Sequence, residues 1–326
     1  MLRRTVRLSA ILLIVALSAS SQLEQRTVSG VVTDLRGDAL RGAAVQLENT
    51  DNLSIVSYIT DRDGRVLLRN LVMWGRWGEA SKEIQAEIAH CEKNGDHARG
   101  QDLLIHTGFI HLFAVDFSGV LAICESILPY VFTPSGIRSC HILMGCAAAA
   151  LGKHDRAFEH LMKVKEEMER NPMMDDWYQR IPLQSGFLEV RLAKGELSQA
   201  RDEADRFLEL ALATAERTYQ GLAWEANARV AIKAEAWQRA EECISRALSA
   251  IEGYDVPLAA WRAHGTASDL HAHRGDNDRA GKHSELSRAT ILKLANSLAS
   301  EDPLRAAFLT APDVRRILEK AEAIGA

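Results

Sequence analysis

A short pattern that recurs about every 40 residues is the strongest constraint on how this chain of 326 residues folds. In each copy, a turn residue is followed five positions later by a small residue. The turn residues are Ala114, Gly152, Gly195, Glu235 and Gly275, and the small residues are Gly119, Ala157, Ala200, Ala240 and Ala280. Five copies at a nearly constant period indicate an array of structural repeats.

The residues between the turns favour α-helices. Ala, Leu, Glu, Arg and Lys dominate there, and apolar residues recur at spacings of three and four. A turn glycine ends one helix and lets the chain reverse, and a small residue lets the next helix approach closely. Each helical hairpin then has an apolar face that only its neighbours can cover. The sequence therefore predicts a mainly α fold, a right-handed solenoid of helical hairpins over residues 78–324.

The turn and small positions, together with apolar helix positions such as Leu143, Leu151 and Leu188, resemble the tetratricopeptide repeat in a form of about 40 residues. The consensus Trp, Tyr and Pro are mostly absent. The end of the chain, with Asp302-Pro303 and Pro312-Asp313, is similar to the closing repeats of large bacterial kinase, cyclase and ATPase signalling proteins. The sequence lacks the phosphate-binding loop and kinase motifs of those proteins, so the resemblance implies protein binding without catalysis.

Residues 27–71 follow a different pattern, in which short β-branched runs alternate with Gly- and Asp-rich turns. The predicted strands are Val28–Thr33, Ala43–Leu47, Ser54–Ile59 and Arg65–Leu68. The motifs Gly30–Asp34, Gly42–Val45 and Thr60–Arg65, closed by Leu68–Leu71, resemble the start of a carboxypeptidase regulatory-like domain. That resemblance implies a partial N-terminal β-sandwich that lacks its last strands and carries no catalytic residues.

The first residues of the chain have the pattern of a secretory signal peptide. Arg3, Arg4 and Arg7 precede an apolar run from Leu8 to Leu17, and small residues lead to Ser21. The run is shorter than the ~20 residues that a membrane-spanning helix needs. We therefore expect a signal peptide at 1–21 and export to the periplasm or the medium. Five cysteines are unusual for an oxidising compartment, so a cytoplasmic location is the alternative.

Residue usage divides the chain near Met73. Residues 1–73 contain nine Arg but no Lys, His, Cys or Trp, and their net charge is +2, against −7 for the remainder. This contrast predicts a join between segments of different origin. The total of −5 suggests no basic stripe that would neutralise phosphates, which argues against a nucleic-acid partner.

The sequence contains no pattern that predicts a catalytic site, a cofactor or a metal. The cysteines form no CxxC motif. Cys140 and Cys146 fall on different faces of a helix, and His264 and His271 share a face without a third ligand at a fixed spacing. No nucleophile motif is present either. We therefore expect a protein that is not an enzyme.

The predicted function is that of a protein–protein interaction scaffold, whose concave face receives a segment of a protein or peptide partner. An aromatic side chain beside an arginine would suit such a ligand. The candidate groove residues are Arg191, Trp224, Arg229, Trp261 and Arg262. Two alternatives remain open at this point. The chain is either the detached sensor region of a bacterial signalling protein, or an exported accessory module whose β part has a carbohydrate-binding-like fold.

Overall fold

The computed structural model describes residues 44–48, 55–59, 68–173 and 176–325. The signal peptide at 1–21 and most of the predicted β-sandwich lie outside these residues. Within the predicted β region the structure describes two strands, β1 (Ala44–Glu48) and β2 (Ile55–Ile59). They pair antiparallel, with Ala44 opposite Ile59 and Glu48 opposite Ile55. Both strands fall on runs for which the sequence predicts β structure.

The rest of the described chain is helical. The helices are α1 (Leu68–Met73), α2 (Trp77–Lys93), α3 (His97–Phe113), α4 (Phe117–Ile127), α5 (Pro134–Ala150), α6 (His154–Arg170), α7 (Asp176–Ala193), α8 (Leu197–Leu212), α9 (Arg217–Lys233), α10 (Trp237–Ile251), α11 (Pro257–His273), α12 (Asn277–Ala295), α13 (Pro303–Thr310) and α14 (Pro312–Gly325). A single 3₁₀ turn, Leu128–Tyr130, follows α4. The mainly α, repeat-like architecture is confirmed.

The five repeated turns join α3 to α4, α5 to α6, α7 to α8, α9 to α10 and α11 to α12. All five have the same hydrogen bonds. In the last, the Asp276 N–H donates to the carbonyl of His271 and the Gly275 N–H to the carbonyl of Ala272, each over 3.0 Å. This pair of bonds satisfies carbonyls that a helix end leaves free, and it needs a residue with positive φ. Gly275 has a φ of 77°.

The first copy of the repeat is shifted by one residue from its predicted alignment. The residue with positive φ is Val115 (53°), so the position equivalent to Ala157 is Val120, which is fully buried, and not Gly119. A β-branched residue with positive φ is an outlier, which is why the sequence pattern hides it. Gly119 has another role, because an added Cβ would overlap the carboxylate of Asp116 that accepts its N–H at 3.0 Å.

The helical region also begins earlier than the predicted residue 78. Leu68–Leu71, assigned by the resemblance to the end of the β module, form the start of α1. Two further turns of the same kind, at Gly75 and Gly95, join α1 to α2 and α2 to α3. The first four helices therefore follow one another through three identical turns, whereas later hairpins are separated by other connections.

A buried arginine ties one hairpin to the next. Arg138 of α5 is 2% exposed, and its guanidinium donates to the carboxylates of Glu167 in α6 and Asp176 in α7. It also donates to the carbonyl of Asn171. A buried charge is tolerated only when it is paired and hydrogen-bonded, and here the pairing holds three helices in register.

Helices near the two ends of the array, α2 and α13, are in contact. Trp77, at the start of α2, is fully buried, and its ring lies edge-on to Phe308 of α13 with 5.2 Å between centroids. A Cβ added to Gly78 would overlap the carbonyl oxygen of Ser297 and lie 3.5 Å from Leu298 Cα. In the preceding helix α1, Arg69 lies 4.2 Å above the ring of Tyr178, which belongs to α7 in the middle of the array. The helical array is therefore closed by direct contact between its two ends.

No helix in the described ranges has both the length and the apolar composition required to cross a bilayer.

Candidate interaction surface

The first helices of three successive hairpins, α7, α9 and α11, pack side by side and carry a cluster of polar side chains. We call this cluster the charged strip. Its members are Glu189 of α7, Glu225 and Arg229 of α9, and Arg262 and Thr266 of α11. The repeat produces the cluster, because equivalent positions on successive first helices are about 40 residues apart.

Arg229 occupies the middle of the strip. It donates two hydrogen bonds to Glu189, one of them 3.1 Å long, and its Nε donates to Glu225 over 3.2 Å. Thr266 donates to the other oxygen of Glu225 over 2.7 Å. Glu225 is 4% exposed, whereas Glu189 and Arg229 keep 39% and 36% of their side-chain surfaces exposed. Glu225 therefore holds the strip from a buried position, whereas Glu189 and Arg229 are partly exposed to solvent.

The electrostatics of the strip favour the ionised forms of Glu189 and Arg229. Burial raises the pKa of Glu189, but the charge of Arg229 and its hydrogen bonds outweigh this effect, so the pKa lies below its ordinary value. Burial alone would lower the pKa of Arg229. The charges and hydrogen bonds of Glu189 and Glu225 outweigh this effect, so the pKa of Arg229 is raised. Glu189 and Arg229 thus form a fixed pair of opposite charges.

Arg262 differs from Arg229 because it forms no ion pair with a carboxylate among the described residues. Its guanidinium lies 4.2 Å from the centroid of the Trp261 ring, and its Nη1 donates to the carbonyl of Leu258 over 2.9 Å. Burial lowers its pKa, the nearby charge of Glu225 offsets this only in part, and the resulting pKa is about 10. Arg262 is still a cation at neutral pH, and it retains N–H donors that no described carboxylate accepts.

The structure brings together only some of the predicted groove residues. Arg229 and Arg262 both belong to the charged strip. Trp261 is 4% exposed and supports Arg262 from below, with its ring 6.5 Å from that of Phe308. Its predicted exposure to a ligand is wrong, because the closing helix α13 covers it.

Arg191 and Trp224, the other two candidates, do not belong to the charged strip. Arg191 pairs with Glu196 in the turn after α7, and its guanidinium lies 5.1 Å from the centroid of the Phe158 ring. Trp224 faces α10, where Arg246 lies 5.7 Å above its ring. Together with Trp237, it lines a separate surface groove of about 660 Å³.

The sequence analysis missed Glu189, Glu225 and Thr266. A signal for them was present, because Glu189 and Arg229 are separated by 40 residues and Glu225 and Thr266 by 41. These separations are within one residue of the 40-residue period, so an alignment of the five copies places each pair on the first helices of adjacent hairpins.

The described residues contain no group of three or more His, Cys, Asp or Glu side chains placed to hold one ion. All five cysteines are free thiols. Cys140 is fully buried, and the Cys146 thiol donates to the carbonyl of Pro182 over 3.6 Å.

No family model matches this chain, and no curated protein matches it. Among solved structures, the chain is similar to the crystal structure of BtubC (BKLC) from P. vanneervenii. The similarity covers 65% of this chain and 89% of that one, with 12% identity and a TM-score of 0.43.

Proposed function

We propose that this protein is a non-enzymatic interaction scaffold of the tetratricopeptide-repeat type, and that it binds a segment of a protein partner along the charged strip. The observation that carries the proposal is Arg262, a cation held on an aromatic ring with hydrogen-bond donors left over. A surface that served only packing would pair this arginine, as it pairs Arg229. In this proposal the solenoid is right-handed and the strip lies on its concave face.

The chemistry of the strip defines the partner. Arg262 suits a carboxylate, either a side chain or the C-terminus of a peptide, because a guanidinium donates to both oxygens of such a group. Glu189, which is 39% exposed, suits a backbone N–H or a basic side chain a few residues away. The partner is therefore an extended peptide with a carboxylate at one position and a donor at another.

A peptide-display selection on the full-length protein tests this proposal. We expect the selected peptides to share a carboxylate and to lose at least about tenfold in affinity for Arg262→Ala, since a charged hydrogen bond contributes roughly 1.5–3 kcal/mol. The matched control is Arg246→Ala, which removes an arginine of α10 that lies above a tryptophan and does not belong to the charged strip. Peptides that bind both variants as tightly as the unaltered protein would refute the proposal.

We also propose that the chain is exported and loses its first 21 residues. The pattern of the N-terminal residues supports this, and the five free thiols favour the cytoplasmic alternative. The intact mass of protein from fractionated cells distinguishes the two, because the exported form lacks the first 21 residues and the cytoplasmic form retains them.

A further inference from the structure

The surface groove of about 660 Å³ lies where α8, α9 and α10 come together, and we call it the tryptophan groove. Trp224 of α9 and Trp237 of α10 line it, and both side chains are partly exposed. Its polar lining includes Asp205, Asn227, Arg239 and Glu242. Sites for small molecules have volumes of about 300–1,000 Å³ and combine aromatic walls with a few polar groups. The groove therefore has the size and the lining of such a site, and it shares no residue with the charged strip.

The repeat does not explain the two tryptophans. In the hairpins α5–α6, α7–α8 and α11–α12, smaller side chains occupy the equivalent positions, counted from the turn residue. They are His141, Gln184 and His264 in place of Trp224, and His154, Leu197 and Asn277 in place of Trp237. Two tryptophans at these positions are thus a property of the hairpin α9–α10 and not a packing requirement of the array. The ring of Trp237 is held by stacking on His273, with 3.9 Å between the centroids.

Asn227 lies at the base of the groove, at a position where the other three hairpins have apolar residues. Those residues are the buried Met144, Phe187 and Ala267. Asn227 is itself only 2% exposed. Its amide nitrogen donates to the carbonyls of Ala204 over 3.0 Å and Ala223 over 3.1 Å, whereas no described residue donates to its Oδ1. A buried side chain with an acceptor left free is unfavourable for packing, so the oxygen points to a ligand that donates to it.

The charged side chains around the groove balance one another. Arg239 pairs with the carboxylate of Asp205 over 3.1 Å, and Glu242 lies 3.9 Å from Arg246, which sits above the ring of Trp224. The two carboxylates and two guanidinium groups give a net charge of zero, which favours an uncharged ligand over an ion. All four side chains are partly exposed, so they keep acceptors and N–H donors for the hydroxyl groups of a ligand.

We propose that the tryptophan groove binds a neutral oligosaccharide. The face of an indole carries partial negative charge, so it attracts the C–H groups on one face of a sugar ring. One sugar ring stacks on an indole, a hydroxyl group donates to Oδ1 of Asn227, and other hydroxyl groups bond to the pair of Asp205 and Arg239.

The groove suits a peptide less well. Its walls are helices, whose backbone groups are bonded within each helix, so the groove offers no strand edge that would pair with an extended peptide. Apart from the two indoles, its apolar lining is limited to Leu208, Ala236 and Cys243. A sugar is therefore the better match, because it has one apolar face and hydroxyl groups around its edge.

A microarray of neutral oligosaccharides probed with the full-length protein tests the proposal, and isothermal titration calorimetry measures the affinity for the oligosaccharide that binds best. We expect Trp237→Ala to weaken this affinity about five- to tenfold, because stacking on the indole is lost. The matched control is Trp177→Ala, which removes a tryptophan that is 51% exposed and does not line the groove. The control should leave the affinity unchanged. An array on which no neutral oligosaccharide binds would overturn the proposal, and so would an equal loss in both variants.

Asn227→Met separates binding from stability. Methionine already occupies this position in α5, as Met144, so we expect Tm to stay the same or to rise. The affinity for the oligosaccharide should fall about fivefold, because the hydrogen bond to Oδ1 is lost. A lower Tm with unchanged affinity would show that Asn227 only joins α8 to α9, and it would overturn the proposal.

Two further results distinguish this groove from the charged strip. Arg262→Ala should leave the affinity for the oligosaccharide unchanged, so the two proposals succeed or fail independently. Peptides from the display selection that bind less tightly to Trp237→Ala, and that no oligosaccharide displaces, would assign the groove to a peptide and overturn the proposal.

Discussion

Gly78 tests whether the two ends of the helical array are in contact. A glycine in a helix is ordinarily improved by alanine, by up to about 1 kcal/mol. At Gly78, however, the added Cβ would overlap the carbonyl oxygen of Ser297 and lie 3.2 Å from its carbonyl carbon. These atoms are backbone, so they cannot move aside as the end of a flexible side chain would.

The expected cost follows from this overlap. Forcing an extra methyl group into a packed site costs about 1–3 kcal/mol, and the gain in helix propensity offsets only part of it. We therefore expect Gly78→Ala to lower the free energy of unfolding by about 1–2 kcal/mol. In an array of this size such a change lowers Tm by roughly 2–8 °C. Thermal melting followed by circular dichroism at 222 nm measures it.

Gly100 provides the matched control. It also lies in a first helical turn, in α3, but the nearest atom to an added Cβ is Cys91 Cβ at 3.7 Å, an ordinary contact. We expect Gly100→Ala to raise Tm by a few degrees, because only the helix propensity changes. Equal stabilisation by both substitutions would refute the contact between α2 and the segment at Ser297.

Three further outcomes are expected. Arg138→Met should lower the free energy of unfolding by about 3–5 kcal/mol in urea titrations, because it removes the charge partner of the Asp176 carboxylate, which is 4% exposed. The double variant with Arg138→Met and Asp176→Leu should recover part of this loss. Burial, with the charge of Arg69, lowers the pKa of His106 to about 4, so the unfolded chain takes up a proton that the folded chain excludes between pH 6.5 and 4. The free energy of unfolding should fall as the pH falls through that range, by up to about 3 kcal/mol at pH 4. His106→Gln should make the free energy of unfolding less dependent on pH. An unchanged slope would contradict the assignment of this dependence to His106. Glu235→Gly should raise Tm, because Glu235 has a φ of 55° and a left-handed backbone conformation costs a non-glycine residue roughly 1–2 kcal/mol. An unchanged Tm would show that the turn at Glu235 is not strained.

The repeated turns were predictable because their signal is local. Gly152, Gly195 and Gly275 supply the positive φ that the turn demands, and the sequence shows them directly. The first copy was placed one residue out of register because Val115 takes that conformation against its preference. The turn at Gly95 has the same signature, but it lies only 20 residues before the next, outside the 40-residue spacing.

The candidate site was predictable only in part. Arg229 and Arg262 belong to it, and periodicity carries enough information to place them on adjacent helices. The burial of Trp261 depends on Phe308, which lies 47 residues farther along the chain and outside any repeat. The repeat pattern does not relate these two residues, so it could not predict that Phe308 covers Trp261.

The contact between Trp77 and Phe308 also bears on how the chain folds. Most of the array is built from hairpins and from contacts between neighbours, and such local structure forms rapidly. The two aromatic residues, in contrast, are separated by almost the whole helical region, and closing a loop of that length has an entropic cost that local contacts avoid. We expect the hairpins to assemble first and the ends to join last. The slowest refolding phase should then report the burial of Trp77, and it should disappear when that residue is replaced.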